Sequence, residues 1–599
     1  MPEKNKASEA KKQNFQKGEK PKNTKYVLKR LWGYIYQYKF LFFFAAVLTI
    51  ASNLLALIGP RLSGYAIDAI EPGKGRVVFH TVFYYARWML LFYIISSVLS
   101  YFLSTIMIRL SQNIVRKMRE DLFNKLVDLP VGFFDRNHAG DIVSRLTYDI
   151  DVVNTSLSND IIHICTSLIT VIGSLLMMLI ISPRLVLVML VTIPISLLYT
   201  RYRAKKVKPL FRKRSAKLGE LNGFVEEMVS GQKTIKAYAA EDTVYERFKN
   251  ANKETVDAYY TAEYYGSATG PTVNFVNNLS LSLITIFGAL LYMNRTMTLG
   301  NISSFVQYSR KFSGPINETA NIISELQSAA AAAERVFKLI DQDPEPVDRE
   351  NVEELEDVDG HVSMKGVTFG YLPDKVIIKD LFINAKPGSL TAIVGPTGAG
   401  KTTIINLLMR FYDVWDGQIY IDGKENRDIS RQSLRKAYAM VLQDTWLFQG
   451  TVFDNIAYGK EDATMEEVVE AAKMAGIHSY IRRLPQGYNT IINEEGLNIS
   501  KGQKQLMTIA RAMLLDAKML ILDEATSNVD TRTEIKIQKA MRKLMEDKTC
   551  FVIAHRLSTI QGADNILVVD QGNVVEQGTH KELMERKGFY YKLYNSQFE

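Results

Sequence analysis

Long charge-free apolar stretches alternate with highly charged segments along the first half of the chain. Most of these stretches reach the roughly 20 residues that a helix needs to cross the hydrocarbon core of a bilayer. Because a buried helix of a soluble protein seldom needs that length without a charge, the pattern predicts membrane spans. The five clearest stretches are residues 40–60, 88–108, 161–183, 185–200 and 267–294.

A sixth span is harder to recognise, because residues 296–309 are short and partly polar and are followed by Arg310 and Lys311. A polar helix that lines a water-filled cavity would have this composition; the alternative is a boundary effect. The positive-inside rule places the N-terminus and the basic clusters at 116–119 and 201–214 on one side, which favours an even number of spans. We therefore predict six spans in the cell membrane, with the N-terminus and the C-terminal half in the cytoplasm.

Basic charge is concentrated at the N-terminus. Residues 1–30 contain ten Lys or Arg and three acidic residues, in a chain of formal net charge +9. A basic soluble protein would suggest nucleic acid as a partner, but here the excess is local and no apolar run accompanies it. We expect residues 1–26 to form a disordered cytoplasmic tail, with membrane lipid and not nucleic acid as a partner.

Two long charged segments, residues 110–160 and 202–266, have helical periodicity. They are predicted to be helices that continue from the spans into the cytoplasm, where they either support the spans or contact the C-terminal domain with their tips. Further along, a helix-forming run that begins at Ala329 is broken by acidic, proline-containing residues at 341–346.

From residue 361 onwards, short β-rich runs alternate with helical patterns, which indicates an α/β domain. The predicted organisation is a basic tail at 1–26, a transmembrane domain at 27–328, a linker at 329–360 and an α/β domain at 361–599.

Residues 395–403, Gly-Pro-Thr-Gly-Ala-Gly-Lys-Thr-Thr, follow a β-rich run and precede a helix-forming run. They fit the P-loop pattern Gly-x-x-x-x-Gly-Lys-[Ser/Thr], in which glycines let backbone N–H groups and a helix N-terminus approach phosphate closely. Lys401 is expected to reach the β- and γ-phosphates, and Thr402 to ligate Mg²⁺. The residues predicted to bind ATP here are Gly395, Thr397, Gly398, Ala399, Gly400, Lys401, Thr402 and Thr403.

An apolar run at 519–522 ends in Asp523 and Glu524. Beside a P-loop such a run is a Walker B strand, with Asp523 holding Mg²⁺ and Glu524 polarising the attacking water. Taken alone, the same residues would also suit a buried strand that ends at a helix N-cap. The upstream P-loop favours the catalytic interpretation.

The segment before this strand carries a family resemblance. Residues 499–512 begin Ile-Ser-Lys-Gly-Gln and resemble the signature of ABC transporters, Leu-Ser-Gly-Gly-Gln, with its following helix. Further motifs of that family occur in the family's order: Tyr371 at the adenine-stacking position, Gln443 at the position that senses the γ-phosphate, and His555 at the position that contacts it.

This resemblance implies ATP and Mg²⁺ as cofactors, with Glu524 and His555 catalytic and with Thr402, Gln443 and Asp523 around the metal. It also implies that two nucleotide domains meet head to tail. The signature of one chain, here Ser500, Gly502 and Gln503, would then close over ATP held by the P-loop of the other.

The membrane half is similar to exporters of this family. Residues 130–149 resemble their first intracellular loop, residues 236–241 resemble the second, and residues 490–496, with Glu494, resemble the loop that contacts both. Membrane domain and nucleotide domain are fused in the order of a half-transporter. The implied fold is an α-helical six-span transmembrane domain followed by an α/β P-loop ABC nucleotide-binding domain.

Lys501 departs from the family pattern, because the signature has its first glycine there. It would put a side chain and a positive charge beside the partner's γ-phosphate, although the catalytic set of this chain is intact. The asymmetry resembles the catalytically competent subunit of heterodimeric bacterial multidrug exporters. We expect a second, different ABC half-transporter as partner; a homodimer that tolerates Lys501 is the alternative.

The leading hypothesis is ATP-driven export of amphipathic or hydrophobic compounds, of the multidrug type. A lipid flippase and an exporter of a specific peptide would have the same architecture and stay as alternatives. A non-transporting ATPase is disfavoured by the spans and by the intact Glu524 and His555. The sequence does not name the cargo, because a fold does not fix a substrate.

Overall fold

The computed structural model describes residues 23–70, 77–443, 445–492, 499–523, 530–554 and 560–598. Contacts divide the chain into two units. The membrane unit comprises Met1–Val127 and Ala139–Gln342, and the nucleotide unit comprises Asp128–His138 and Asp343–Glu599. Of the predicted tail, residues 1–22 lie outside the described residues, while Thr24 to Tyr26 already belong to a helix.

Helices make up the described part of the membrane unit. In chain order, with α4 belonging to the nucleotide unit, they are α1 Thr24–Gln37, α2 Lys39–Asp68, α3 Phe79–Val127, α4 Val131–Arg136, α5 Ala139–Ser144, α6 Ile150–Thr155, α7 Ile161–Ile181, α8 Pro183–Ser230, α9 Gln232–Ala237, α10 Glu241–Ser267, α11 Thr269–Met293 and α12 Leu299–Ile340. Two π-helical turns, Arg145–Asp149 and Ser156–Asp160, flank α6. The predicted helical extensions are confirmed, since α3, α8 and α10 carry them.

Four helical segments of the described chain are long and apolar enough to cross a membrane: α2, α3, Ala139–Ile181 and Glu241–Met293. They contain four of the predicted spans. The other two predicted spans, 185–200 and 296–309, lie in α8 and α12. In α8 the shorter segment Pro183–Thr192 is apolar, and α12 carries too many polar residues to qualify, so the count of six stays a prediction.

Helices α2 and α12 cross closely because small residues meet at the crossing. A Cβ atom on Gly64 would lie 2.1 Å from Ser304 Oγ, and one on Gly300 would lie 2.0 Å from the Gly64 carbonyl oxygen. Asp68, at the end of α2, accepts hydrogen bonds from Thr298 Oγ1 at 2.8 Å and from Gly300 N at 2.7 Å. The carboxylate therefore ties the end of α2 to the start of α12.

Strands of the nucleotide unit form two larger sheets and a small one. They are β1 Val362–Phe369, β2 Ile378–Ala385, β3 Leu390–Val394, β4 Asp416–Ile421, β5 Lys424–Glu425, β6 Tyr438–Val441, β7 Gly450–Thr451, β8 Ile491–Ile492, β9 Met519–Asp523, β10 Thr549–Ile553, β11 Asn565–Asp570 and β12 Asn573–Gly578. Among the described residues, the central sheet has the order β12-β11-β3-β10-β9-β6 and the second has the order β2-β1-β4-β5. The predicted strand at 390–394 is confirmed, as is the one at 519–522, which continues to Asp523.

The helices of this unit follow or precede strands in the manner of an α/β domain. They are α13 Lys401–Leu408, α14 Arg431–Lys436, α15 Val452–Ala457, α16 Met465–Met474, α17 His478–Ile481, α18 Lys501–Leu515, α19 Thr531–Met545, α20 His580–Arg586 and α21 Phe589–Phe598.

Side chains alternate across the central sheet, so its strands contribute to two separate cores. Ala392 and Val394 of β3 belong to the core that contains α15, α16, α18 and α19. Ile393, between them, belongs to the core that contains α13 and the second sheet. The P-loop helix α13 and the signature helix α18 therefore pack against opposite faces of the same sheet.

Candidate nucleotide-binding site

The P-loop joins β3 to α13, and its glycines stand where a side chain would not fit. A Cβ atom on Gly395 would lie 2.1 Å from the carbonyl oxygen of Val569. Gly400 caps α13 with φ of 106°, in the left-handed region that glycine tolerates best. Thr397, Gly398 and Thr402 are exposed along this loop, whereas Ala399 is buried beneath it.

Lys401 is held inside its own loop. Its ammonium donates hydrogen bonds to the carbonyl oxygens of Gly395 at 2.8 Å and Pro396 at 3.0 Å. Burial lowers the pKa of Lys401, and the negative charge of Asp523 opposes that shift. The lysine of the P-loop and the first acid of the Walker B strand are thus close enough to interact by charge.

Asp523 and Gln443 follow from the order of the strands. β9 pairs in parallel with both β10 and β6. Asp523 is the last residue of β9, and the exposed Gln443 lies two residues beyond the end of β6. Because the carboxyl ends of parallel strands meet at one edge of a sheet, this edge collects the P-loop, Asp523 and Gln443. Glu524 and His555, the predicted catalytic residues, lie outside the described residues.

Tyr371 sits in an aromatic cluster beside the P-loop helix. Its ring is 38% exposed and packs edge-on against Tyr412 with centroids 5.0 Å apart. The Tyr371 hydroxyl donates to Thr403 Oγ1 at 3.3 Å and accepts from Asn406 Nδ2 at 3.0 Å. The side chain of Thr403 is therefore engaged by the predicted adenine-stacking tyrosine, while part of the tyrosine ring stays at the surface.

Asp128–His138 belongs to the nucleotide unit, and Tyr412 is the residue that sequence reasoning missed there. The Tyr412 hydroxyl donates to Asp135 Oδ2 at 2.5 Å, and burial together with this bond raises the pKa of Tyr412. A Cβ atom on Gly132 would lie 2.7 Å from the Tyr412 ring. The first loop thus contacts Tyr412, to which no motif in the sequence pointed, while its predicted contact with residues 490–496 stays a prediction. The second loop, 236–241, belongs to the membrane unit, and Glu494 lies outside the described residues.

The signature residues form the N-terminal cap of α18. Ser500 Oγ accepts from Gln503 N at 3.3 Å, and Gln503 Oε1 accepts from Ser500 N at 3.1 Å. This reciprocal capping box orients the helix N-terminus, a site that favours anions. Gly502 is buried and Lys501 is exposed. Since α18 and α13 lie on opposite faces of the central sheet, the signature and the P-loop of one chain do not converge.

Helices long and apolar enough to cross a membrane occur on the same chain as a P-loop and a central parallel sheet. Residues 42–316 match the model of the ABC transporter transmembrane region, and residues 378–527 match the ABC transporter model. The chain belongs to the ABC transporters, as an exporter-type half-transporter with fused transmembrane and ATPase domains and with ATP hydrolysis coupled to transport.

Individual proteins resemble the chain over most of its length. The chain is 42% identical over 589 residues to YfiC of Bacillus subtilis (strain 168), an uncharacterized ABC transporter ATP-binding protein. The match covers 98% of this chain and 97% of that protein. A fatty acid ABC transporter ATP-binding/permease protein of Mycobacterium bovis is 45% identical over 80% of this chain and 76% of its own length. The structure of a bacterial Atm1-family ABC exporter with ATP bound superimposes with a TM-score of 0.73 at 29% identity, over 96% of this chain and 99% of the other.

Proposed function

We propose that this half-transporter exports amphipathic or hydrophobic compounds of the multidrug type, driven by ATP hydrolysis at its P-loop. The observation that carries the proposal is the sheet edge where Lys401, Asp523 and Gln443 come together, on a chain with membrane-crossing helices. A relative named for fatty acid transport supports an amphipathic cargo. A lipid flippase or a specific peptide exporter is the second candidate, because it would use the same architecture.

In this proposal Lys401 leaves its loop carbonyls to bind the β- and γ-phosphates, while the exposed loop N–H groups surround them. Tyr371 stacks against adenine through its exposed ring. Glu524 polarises the attacking water and His555 contacts the γ-phosphate, as the family motif implies. Ala399, Gly400 and Thr403 shape the loop from its buried side.

The donors at this edge suit Mg²⁺, which prefers oxygen ligands and keeps several waters. The exposed Thr402 hydroxyl, the Asp523 carboxylate and the Gln443 amide oxygen supply such ligands without a dedicated cluster of acids. The chemistry that Mg²⁺ supplies when bound is neutralisation of charge on the phosphate oxygens.

A dimer is implied because the signature lies on the far side of the sheet from its own P-loop. We propose that Ser500, Gly502 and Gln503 close over ATP on a partner. Lys501 is exposed at the first turn of α18, where a positive side chain opposes the helix dipole and would stand beside that ATP. The signature of this chain is thus altered while its own catalytic residues are intact. This difference favours a heterodimer with a second ABC half-transporter.

We also propose that α8 and α12 complete six spans, with the nucleotide unit in the cytoplasm. The contacts between Asp68 and the start of α12 join the end of one span to the beginning of another. Helix α12 then runs antiparallel to α2 and returns towards the side where α2 begins. Its polar residues would face a cavity.

The first test measures ATPase stimulation of the full-length protein in its native assembly, reconstituted in nanodiscs, by a panel of drugs, fatty acids and peptides. We expect amphipathic compounds to stimulate turnover and peptides not to. Glu524→Gln should bind ATP but lose at least about 100-fold in turnover, whereas the exposed Glu546→Gln should not change it. Stimulation by peptides alone, or substantial turnover by Glu524→Gln, would contradict the proposal.

The second test is purification of the tagged chain from its native membranes. We expect a second ABC half-transporter in equal amount, because in the proposed heterodimer only one of the two ATP sites contains Lys501. A single polypeptide with full ATPase activity would defeat the heterodimer. Lys501→Gly should raise turnover if the partner supplies its own acid and histidine.

A further inference from the structure

The accessible side of α12 is polar, unlike the accessible side of α7. From Leu168 to the end of α7, every exposed side chain is apolar, whereas the exposed His163 lies near the start of the helix. These apolar residues are Leu168, Ile172, Leu175, Leu176, Leu179 and Ile180. On α12 the exposed or half-buried positions include Ser303, Gln307, Arg310 and Lys311, which share one face at helical spacing. An apolar face suits lipid, as on this part of α7, whereas the polar side of α12 suits water, cargo or a partner chain.

The opposite side of α12 packs into the unit. Phe305, Tyr308 and Phe312 are buried in one apolar cluster with Leu57 of α2. Polar atoms on the same side complete this contact, because Ser304 Oγ donates to the Pro60 carbonyl at 2.8 Å and Tyr308 Oη donates to the Leu57 carbonyl at 2.6 Å. These contacts fix the rotation of α12 about its axis, and Gln307 of the polar stripe also reaches α2, where its Nε2 donates to Ser63 Oγ at 3.2 Å.

Lys311 stands at the edge of this stripe, where α2 contains Pro60. Proline has no N–H to donate, so the carbonyl of Ala56, four residues earlier, loses its helical partner. Lys311 Nζ donates to that carbonyl at 2.9 Å. The lysine therefore occupies a defined position, although a carbonyl leaves its charge unneutralised.

No carboxylate among the described side chains lies within ion-pair distance of Lys311. An ammonium has three donors, and the hydrogen bond to Ala56 uses one. Ala56 belongs to the charge-free stretch 40–60, about 7 Å along α2 from Arg61 at 1.5 Å per residue. The lysine thus holds a half-buried positive charge at membrane depth, where an ionisable group indicates a ligand or a pathway.

We propose that Lys311 is the head-group site for anionic amphiphiles, and that it binds the carboxylate of a fatty acid or similar cargo while the alkyl chain contacts apolar span residues. This deepens the proposed export of amphipathic compounds and rests on it. A carboxylate meets two remaining ammonium donors in a low dielectric, where charge-assisted hydrogen bonds are strong. A neutral amphiphile of equal length gains only the apolar contacts.

If Lys311 only joined α12 to α2, its replacement would affect the acid and the alcohol equally. The Lys311→Gln variant separates the two roles, since glutamine keeps an N–H donor for the Ala56 carbonyl and loses only the charge. Lys311→Arg keeps the charge. Lys249→Gln removes the same charge from an exposed position on α10, outside the polar stripe, and is the control.

The experiment measures ATPase stimulation of the full-length protein in its native assembly by dodecanoic acid and by dodecanol. For the unmodified protein and Lys249→Gln, the acid should half-stimulate at a lower concentration than the alcohol. Lys311→Gln should raise that concentration about tenfold for the acid, the value of one lost charge-assisted hydrogen bond, and leave the alcohol unchanged. Lys311→Arg should retain the preference for the acid.

Two results would overturn the head-group site alone: equal losses for acid and alcohol in Lys311→Gln, or no advantage of the acid in the unmodified protein while the alcohol still stimulates. If neither amphiphile stimulates ATP hydrolysis in the unmodified protein, the head-group site fails; the proposed export of amphipathic compounds fails with it only if the drugs of the first test do not stimulate either.

Discussion

Arg431 of the nucleotide unit and Lys311 of the membrane unit hold their positive charges in opposite ways. In the nucleotide unit, Arg431 is 7% exposed and donates to Asp348 at 2.7 Å and Asp413 at 2.9 Å. In the membrane unit, Lys311 donates to a backbone carbonyl and has no carboxylate within ion-pair distance among the described side chains. The difference separates a charge that is neutralised within the fold from a charge that is kept for a ligand.

Lys401 belongs with Lys311 in this comparison. Its ammonium also donates to backbone carbonyls, those of Gly395 and Pro396, and we propose that it binds phosphate. A carbonyl holds an ammonium in place but carries no net charge, so an arriving anion still gains the full electrostatic interaction. The two lysines therefore use one chemical arrangement, one for ATP and one for cargo.

Replacing Arg431, which pairs with Asp348 and Asp413, should have the largest effect on stability. Arg431→Met removes a buried partner of Asp348 and Asp413, and breaking such a pair is strongly destabilising. Arg410 is 4% exposed and pairs with the same acids at 3.3 and 3.1 Å, so we expect about 3 kcal/mol, the lower end of the usual range. Thermal unfolding of the purified full-length chain, followed at the nucleotide unit, should show a midpoint lower by several degrees.

Smaller effects on unfolding sharpen the comparison. Lys311→Gln should cost less than about 1 kcal/mol, because the hydrogen bond to Ala56 can be kept. Arg349→Gln, whose ion pair with Asp428 is at the surface, should leave the unfolding midpoint unchanged. A Lys311 variant that unfolds as readily as Arg431→Met would mean that the lysine is structural, and the distinction between the two units would fail.

Local sequence signals predicted the loop, the strands and the helix N-terminus around the candidate site, because each signal acts through neighbours in the chain. Glycines at 395 and 400 are required by the backbone of the loop itself, and the apolar run at 519–522 is a central strand in any α/β domain. The capping box of Ser500 and Gln503 likewise spans a single helical turn. Such features depend on residues close together in the chain and not on contacts with distant parts of the fold.

Contacts between distant residues were beyond the sequence. Asp135 and Tyr412 are hydrogen-bonded although 277 positions separate them in the chain. The acids that pair with Arg431, Asp348 and Asp413, lie before and after the P-loop in the chain. The sixth span stays a prediction for a different reason, because polar residues on α12 lower its hydropathy. The sequence showed Lys311 only as a charge that follows the predicted sixth span. Its hydrogen bond to the Ala56 carbonyl appears only in the structure.

Transport itself tests the central claim of ATP-driven export most directly. The measurement is ATP-dependent accumulation of a fluorescent fatty acid inside inside-out proteoliposomes that contain the full-length protein in its native assembly. We predict accumulation with the unmodified protein, none with Glu524→Gln, and a reduced rate with Lys311→Gln at low fatty acid concentration. Equal accumulation with and without ATP, or undiminished accumulation with Glu524→Gln, would contradict the account.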